Sequence, residues 1–325
     1  MASQKLHDVL GPPIEDATEE TFALFSQDIP SNNLGFMDSR RDVIEIEVSG
    51  HEYELRQSPG LLTSNRKGGT TGAVLWKVTP LLATWLSSFP ALLSRLDVLH
   101  ADATLVELGC GSAGLVGLVL SRRVKRYVLT DQEYVMKYLR ENILANTSTS
   151  NHHSKPTKRK GKSNPPVLEE RLKTMPLDWE TDSAQNLNSV IAPEDSIDLL
   201  LLCDCVYNDY LVEPLVQMCA DICRLRPSSP KATVVMVAQQ LRSDSNFELF
   251  LDRLMQEFHV WRTPDESIST ELRSTSGYVV HLAALKPSMA AAAPCREESK
   301  QLRGEISTPA IALSRETGTP SKPRN

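Results

Sequence analysis

No run of apolar residues approaches the ~20 that a membrane-spanning helix needs, so a soluble protein without helical spans is expected. The opening Met1-Ala-Ser-Gln-Lys-Leu-His leads into acids instead of an apolar segment, and no secretory signal is expected. Cysteine is sparse and scattered, at 110, 203, 205, 219, 223 and 295, with neither paired C-x-x-C elements nor a His pair. That speaks against a zinc site and for reduced thiols in a cytoplasmic or nuclear protein. An excess of basic charge is also missing: 35 Lys and Arg stand against 41 Asp and Glu, a net charge of −6, which argues against a uniformly basic nucleic-acid binder. What remains is a chain of 325 residues, 41% hydrophobic, able to bury one large α/β core with tails.

The most informative stretch is Thr104-Leu-Val-Glu107-Leu-Gly109-Cys110-Gly111-Ser-Ala-Gly114, an apolar strand running through an acid into spaced glycines and a helix-like Leu115–Leu120. Glycines let a ligand lie against the main chain, and the following helix start supplies N–H groups, so this is a nucleotide-binding turn. Twenty residues beyond Gly111, the strand Tyr127-Val-Leu-Thr130 ends in Asp131, where a carboxylate can accept both ribose hydroxyls or cap the next helix. Glu107 selects among cofactors. A carboxylate at the strand end would repel a pyrophosphate but can accept from the ammonium of S-adenosylmethionine (AdoMet), which is favoured over a dinucleotide.

Along the chain, residues 1–34 carry Asp8, Glu15, Asp16, Glu19, Glu20 and Asp28 against a single Lys5 and read as a flexible acidic arm. Asp42–Val48 and Glu52–Arg56 alternate around Ser-Gly-His as a hairpin. Ala73 to Leu86 is helix-like, with Pro80 expected to interrupt or kink it. From Thr104 onward strands and helices alternate, which predicts a parallel sheet with helices on both faces. The expected strands are 104–108, 126–130, 198–203, 232–238 and 277–285, and the runs 199–202 and 234–238 suit strands buried on both sides. About 147–174 reads as a disordered insertion carrying Lys155, Lys158, Arg159, Lys160 and Lys162, a solvated loop that RNA, an acidic partner or an import receptor could use. Residues 287–325 read as a disordered tail, which leaves 35–286 as the domain.

Asp204-Cys205-Val206-Tyr207 follows directly on the apolar strand 199–203, at the carboxyl end of the sheet where open α/β folds bind ligands. Glu107-Leu-Gly-Cys-Gly, Asp131, Leu177-Asp-Trp179, this D-x-x-Y and Trp76 upstream together resemble the seven-strand protein-lysine methyltransferases of the methyltransferase-21-like group. The hairpin and the basic insertion make the chain most similar to the fungal ribosomal lysine N-methyltransferase 5 branch, over about 35–285. The resemblance implies a Rossmann-like seven-strand α/β sheet with helices on both faces and an N-terminal β-hairpin extension. It implies AdoMet as cofactor and a protein substrate, a ribosomal one in that branch. Gly109, Cys110 and Gly111 would cradle the methionine part, Asp131 would hold the ribose, Trp179 would lie beside the adenine, Trp76 would close the pocket and Cys203 would line it.

Asp204 would then orient the acceptor amine, and Tyr207 would offer its ring face or hydroxyl. A lysine amine, with a reference pKa of about 10.4, must first shed a proton, which an apolar channel promotes. Bland readings stand beside these: the tryptophans as core aromatics, Asp204 as a loop-binding group and Tyr207 as packing. Other acceptors, such as an elongation factor, a chaperone or a small amine, and a non-catalytic binding module of the same fold also remain open. One departure is plain. Where relatives often carry an acidic or histidine-bearing stretch after the strand near 238, this chain has Gln239-Gln-Leu-Arg242.

Overall fold

The computed structural model describes residues 2–29, 35–63, 70–147, 170–225 and 231–287. It opens with two helices, α1 (Ala2–Leu10) and α2 (Ala17–Phe25). An antiparallel hairpin follows, β1 (Val43–Val48) with β2 (His51–Arg56). Its turn places Ser49 and Gly50 at φ 54° and 77°, the double positive φ that suits the twist of a two-residue hairpin. Helices α3 (Val78–Ser87) and α4 (Ala91–Leu96) lead into the alternating part. That part runs β3 (Thr104–Leu108), α5 (Leu115–Leu120), β4 (Arg126–Asp131), α6 (Glu133–Thr147), β5 (Leu172–Pro176), β6 (Leu199–Cys203), α7 (Val212–Arg224), β7 (Val234–Gln240), α8 (Asp244–Glu257), β8 (Phe258–Arg262) and β9 (Tyr278–Leu285).

The seven strands β3–β9 form one sheet in the order β5-β4-β3-β6-β7-β9-β8. The first five in that order are parallel, while β9 runs antiparallel to β7 and β8 antiparallel to β9. Strands β3, β6 and β7 are buried at every residue, because neither face carries a solvated set of side chains. Alternate residues feed two separate cores. Leu105, Leu199, Leu201 and Met236 pack on one face with the residues of α3 and α5, whereas Val106, Leu200, Leu202 and Val235 pack on the other with α7 and α8. The order reverses between β3 and β6, so the carboxyl ends of these two neighbours flank the crevice where such sheets bind ligands.

Several expectations are corrected. The acidic segment read as a flexible arm is two docked helices: Leu6 and Leu24 are fully buried, one in each core. Between the helices the chain crosses the sheet edge, where the Ile14 N–H donates to the Val260 carbonyl (2.7 Å) and the Trp261 Nε1–H to the Gly11 carbonyl (2.9 Å). Covering β8 in this way removes an exposed strand edge. The expected helix over 73–86 starts only at Val78, so Pro80 falls in its first turn, where a missing N–H is tolerated. Leu172–Thr174, assigned to the insertion, belong to the edge strand β5, which buries only Leu172 and Met175, one in each core, and so shows neither an apolar run nor an alternation. The basic cluster at Lys155, Lys158, Arg159, Lys160 and Lys162 and the tail beyond 287 lie outside the described residues.

Candidate active site

A pocket opens at the carboxyl ends of β3, β4 and β6, and all ten residues singled out from the sequence line it: Trp76, Glu107, Gly109, Cys110, Gly111, Asp131, Trp179, Cys203, Asp204 and Tyr207. The glycine turn makes the floor. Gly109 and Gly111 have φ of 66° and 67°, so both positions favour glycine. A Cβ on Gly109 would come within 2.9 Å of the Cys205 Sγ and 3.1 Å of the Trp179 ring; one on Gly111 would come within 3.3 Å of the Gly72 carbonyl. The cradle differs from expectation in one respect. The Cys110 N–H donates to the Thr130 carbonyl (3.1 Å) and the Gly111 N–H to Asp131 Oδ2 (2.8 Å), so at these positions the turn offers a ligand close backbone approach and not free donors.

Asp131, the last residue of β4, accepts from the N–H groups of Gly111 (2.8 Å) and Gln132 (2.7 Å), one on each oxygen. Neither bond enters the first turn of α6 beyond Gln132, so Asp131 does not cap that helix, and each oxygen keeps acceptor capacity. Burial pushes its carboxyl up to about 6 against the pull of those two N–H groups. Glu107 is more deeply enclosed. Burial raises it to about 7, the Tyr127 hydroxyl on Oε2 (2.7 Å) opposes the rise, and the Asp131 charge adds to it. Two buried carboxyls whose ionisation is disfavoured gain most from a ligand that carries positive charge.

Aromatic walls complete the pocket. The Trp179 ring lies against Gly109, and its buried Nε1–H has no hydrogen-bond partner among the described residues, an orphan donor on a cavity wall. Trp76 sits on a flap held to the hairpin by buried Gln57, whose Oε1 accepts from the Leu75 N–H (3.0 Å). The flap touches the glycine turn through the Ser112 N–H, which donates to the Gly72 carbonyl (2.7 Å). The Trp76 Nε1–H donates to the Thr71 carbonyl (3.1 Å), and the Thr71 side chain hydrogen-bonds Tyr207, tying flap to D-x-x-Y. Fully buried Asn142 of α6 locks the hairpin to the turn, donating to the Arg56 and Ser112 carbonyls (2.8 Å each) and accepting from the Arg56 N–H (2.8 Å).

Asp204 is the most constrained group. It holds a left-handed backbone (φ 59°) and is 5% exposed. Its Oδ1 accepts from Gln239 Nε2 (2.8 Å), the Gln240 N–H (3.3 Å) and Arg242 (2.7 Å), while among the described residues Oδ2 accepts from Arg242 alone (2.7 Å). Burial pushes its carboxyl up, and Arg242 pulls it back. Cys203 and Cys205 stay thiols, since burial lifts both well above the usual range. Sequence reasoning missed Thr71, Gly72, Cys205 and Arg242. Cys205 lay inside the D-x-x-Y and Gly72 inside the glycine-rich loop; for Arg242 the signal was the unusual Gln-Gln-Leu-Arg run itself.

The residues fit AdoMet. A cradle that any side chain would fill, an unpaired indole N–H and two acidic groups suit a flat nucleoside joined to a cationic amino acid. Ribosomal lysine N-methyltransferase 5 of Zygosaccharomyces rouxii is 30% identical over 235 residues, 65% of this chain and 72% of that protein. A diaminohydroxyphosphoribosylamino-pyrimidine deaminase of Schizosaccharomyces pombe is 28% identical over 247 residues, 76% of this chain, but this chain spans only 52% of its length. Among solved structures, a putative methyltransferase complexed with SAH covers 75% of this chain and 56% of that chain at 10% identity, with a TM-score of 0.43. The pattern of the lysine methyltransferase family matches residues 55–257, a span that contains all ten site residues. The chain belongs to the lysine methyltransferase family.

Proposed function

We propose that the chain is an AdoMet-dependent protein-lysine N-methyltransferase whose acceptor is a ribosomal protein. The observation that carries this reading is the convergence of Glu107, Asp131 and Trp179 with Asp204 and Tyr207 on one cavity, inside the span matched by the family pattern. The ribosomal acceptor rests on the name of the Zygosaccharomyces rouxii relative.

AdoMet supplies an electrophilic methyl group on a sulfonium when bound. Glu107 would accept from its ammonium end, Asp131 would hold the ribose hydroxyls, and Trp179, with its unpaired N–H, would lie beside the base. The acceptor lysine reaches the site through the end bordered by Trp76, Asp204 and Tyr207. Its amine, protonated in water at a reference pKa of about 10.4, must release a proton to solvent before it can act as a nucleophile, and the wall of Cys203, Cys205 and Leu211 disfavours the charged form. Asp204 Oδ2, with a single donor, has room to accept one amine N–H and hold the nitrogen in line. Tyr207 flanks it with its ring.

Incubating the protein with methyl-labelled AdoMet and ribosomal fractions from cells that lack it tests the reading. One labelled ribosomal band is expected. Label found only in small molecules would remove the protein acceptor and leave the fold untouched.

A further inference from the structure

The Arg242 guanidinium grips Asp204 through both oxygens at 2.7 Å, with Asp204 1% and Arg242 19% exposed in their side chains. The same guanidinium lies 4.8 Å over the Trp76 ring, which also packs 4.4 Å from Phe36, and it donates to Gln240 Oε1 (3.1 Å). Gly35, beside Phe36 and at a positive φ of 83° that favours glycine, lies against the same group: a Cβ there would meet Gln240 Oε1 at 2.2 Å and Arg242 at 3.0 Å, so those side-chain ends would have to move. Trp76 and Asp204 line the cavity, whereas Arg242 and Gln239 do not. Arg242 therefore stands behind the acceptor end, against two of its walls. A carboxylate paired in a bidentate fork keeps its charge but presents no net charge to a third group.

From this arrangement, and resting on the proposed methyltransferase reading, we propose that Arg242 is the specificity-determining residue of the acceptor end. By compensating Asp204 it makes the site receive a neutral amine and refuse an ammonium, while fixing Trp76 and Asp204 in one wall. Alone, Asp204 would attract the protonated lysine, the form that cannot attack. The neighbours of Asp204 do not supply a competing cation. Tyr278 on β9, Cys203 on β6, and Cys205 and Tyr207 in the following loop are all held neutral to higher pH than usual by burial. Glu107, across the cavity, is raised to about 7 by burial and is therefore mostly ionised by about pH 8, where the informative range begins.

The test uses the full chain saturated with S-adenosylhomocysteine, with n-butylamine as a lysine side-chain mimic, titrated by calorimetry between about pH 8 and 9.5. With an amine pKa near 10.4 the neutral fraction rises roughly 30-fold over that range. Wild-type affinity should rise by the same factor. In Arg242→Met the uncompensated Asp204 admits the ammonium, so affinity should change less than about threefold across the range and exceed wild type at pH 8 by tenfold or more. Arg242→Gln, which keeps a donor without the charge, serves the same purpose if the Met variant does not fold. Arg242→Lys should restore the steep rise, as should Asp204→Asn combined with Arg242→Met. A flat wild-type profile, or a steep rise that survives loss of the charge at 242, overturns the inference. Failure to bind S-adenosylhomocysteine would instead sink the methyltransferase reading itself.

Discussion

Acidification should weaken AdoMet binding steeply, because two carboxyls in the pocket titrate where most are already ionised. Burial holds Glu107 near 7 and Asp131 near 6 in the free protein. A ligand bearing a sulfonium and an ammonium binds best when both are ionised. At pH 5 a group with a pKa of 7 is ionised in about 1% of molecules and one with a pKa of 6 in about 10%. Requiring both therefore lowers affinity by up to about a thousandfold between pH 7.5 and 5, about 4 kcal/mol. Over that window the ligand's own α-amino group, near 7.7–8.0, stays largely protonated, so the slope reports on the protein. The logarithm of the Kd, measured by calorimetry or equilibrium dialysis, should change by about one unit per pH unit near pH 6.5 and approach two towards pH 5. Asp131→Asn and Glu107→Gln should each remove one unit of slope, and S-adenosylhomocysteine, without the sulfonium, should show a shallower profile. For the free protein the sign reverses. Both pKa values lie above the ordinary 3.8 and 4.5, so this part of its stability is full below those values and is lost as pH rises towards 7. The rise in Tm on adding AdoMet should thus be largest at pH 7.5 and smallest at pH 5. A Kd constant from pH 7.5 to 5 in folded protein would refute the reasoning.

Other expectations follow from single contacts. Gly109→Ala forces a Cβ onto the Cys205 sulfur and the Trp179 ring at a positive φ, and should weaken AdoMet by tenfold or more in direct binding while lowering stability by about 1–2 kcal/mol in urea unfolding. Asp204→Ala and Tyr207→Phe should leave AdoMet affinity within about threefold, while Asp204→Ala lowers turnover by an order of magnitude or more; loss of AdoMet binding in step with turnover would move Asp204 to the cofactor end. Glu20 on α2, buried and bonded to His281 (2.9 Å) and Arg262 (2.8 Å), is depressed to about 2, since these partners overcome the opposing effect of its burial. Its contribution of about 3 kcal/mol is present above pH 4.5 and lost as pH falls towards 2, so the stability gap between wild type and Glu20→Gln in urea should close on acidification. Asn142→Ala removes the joint between hairpin and glycine turn and should cost about 2–4 kcal/mol, with a raised AdoMet Kd in the folded fraction.

The chemistry of the pocket was legible in the sequence because it is local. In an alternating β–α chain every strand delivers its last residue to the same end of the sheet, so Glu107, Gly109, Asp131 and Asp204 could be placed together from their positions after apolar runs. Leu199–Cys203 and Val234–Ala238 read as central strands because an unbroken apolar run has no solvated face. Edge elements gave no such sign. β5 carries Lys173 and Thr174 among its five residues, β8 follows α8 with no turn residue between, and the short helices α1 and α2 are separated by Pro12 and Pro13 in a segment rich in acids. Their burial depends on surfaces more than 200 residues away, such as Val260 and Trp261. The residue type at Arg242 was visible as a departure, but its meaning was not. A guanidinium reads as a solvated charge until folding brings it 2.7 Å from a carboxylate 38 positions earlier and 4.8 Å from an indole on the flap. Such a pairing lies in the meeting of two loop ends and not in any period of the chain, so only the tertiary structure decides it.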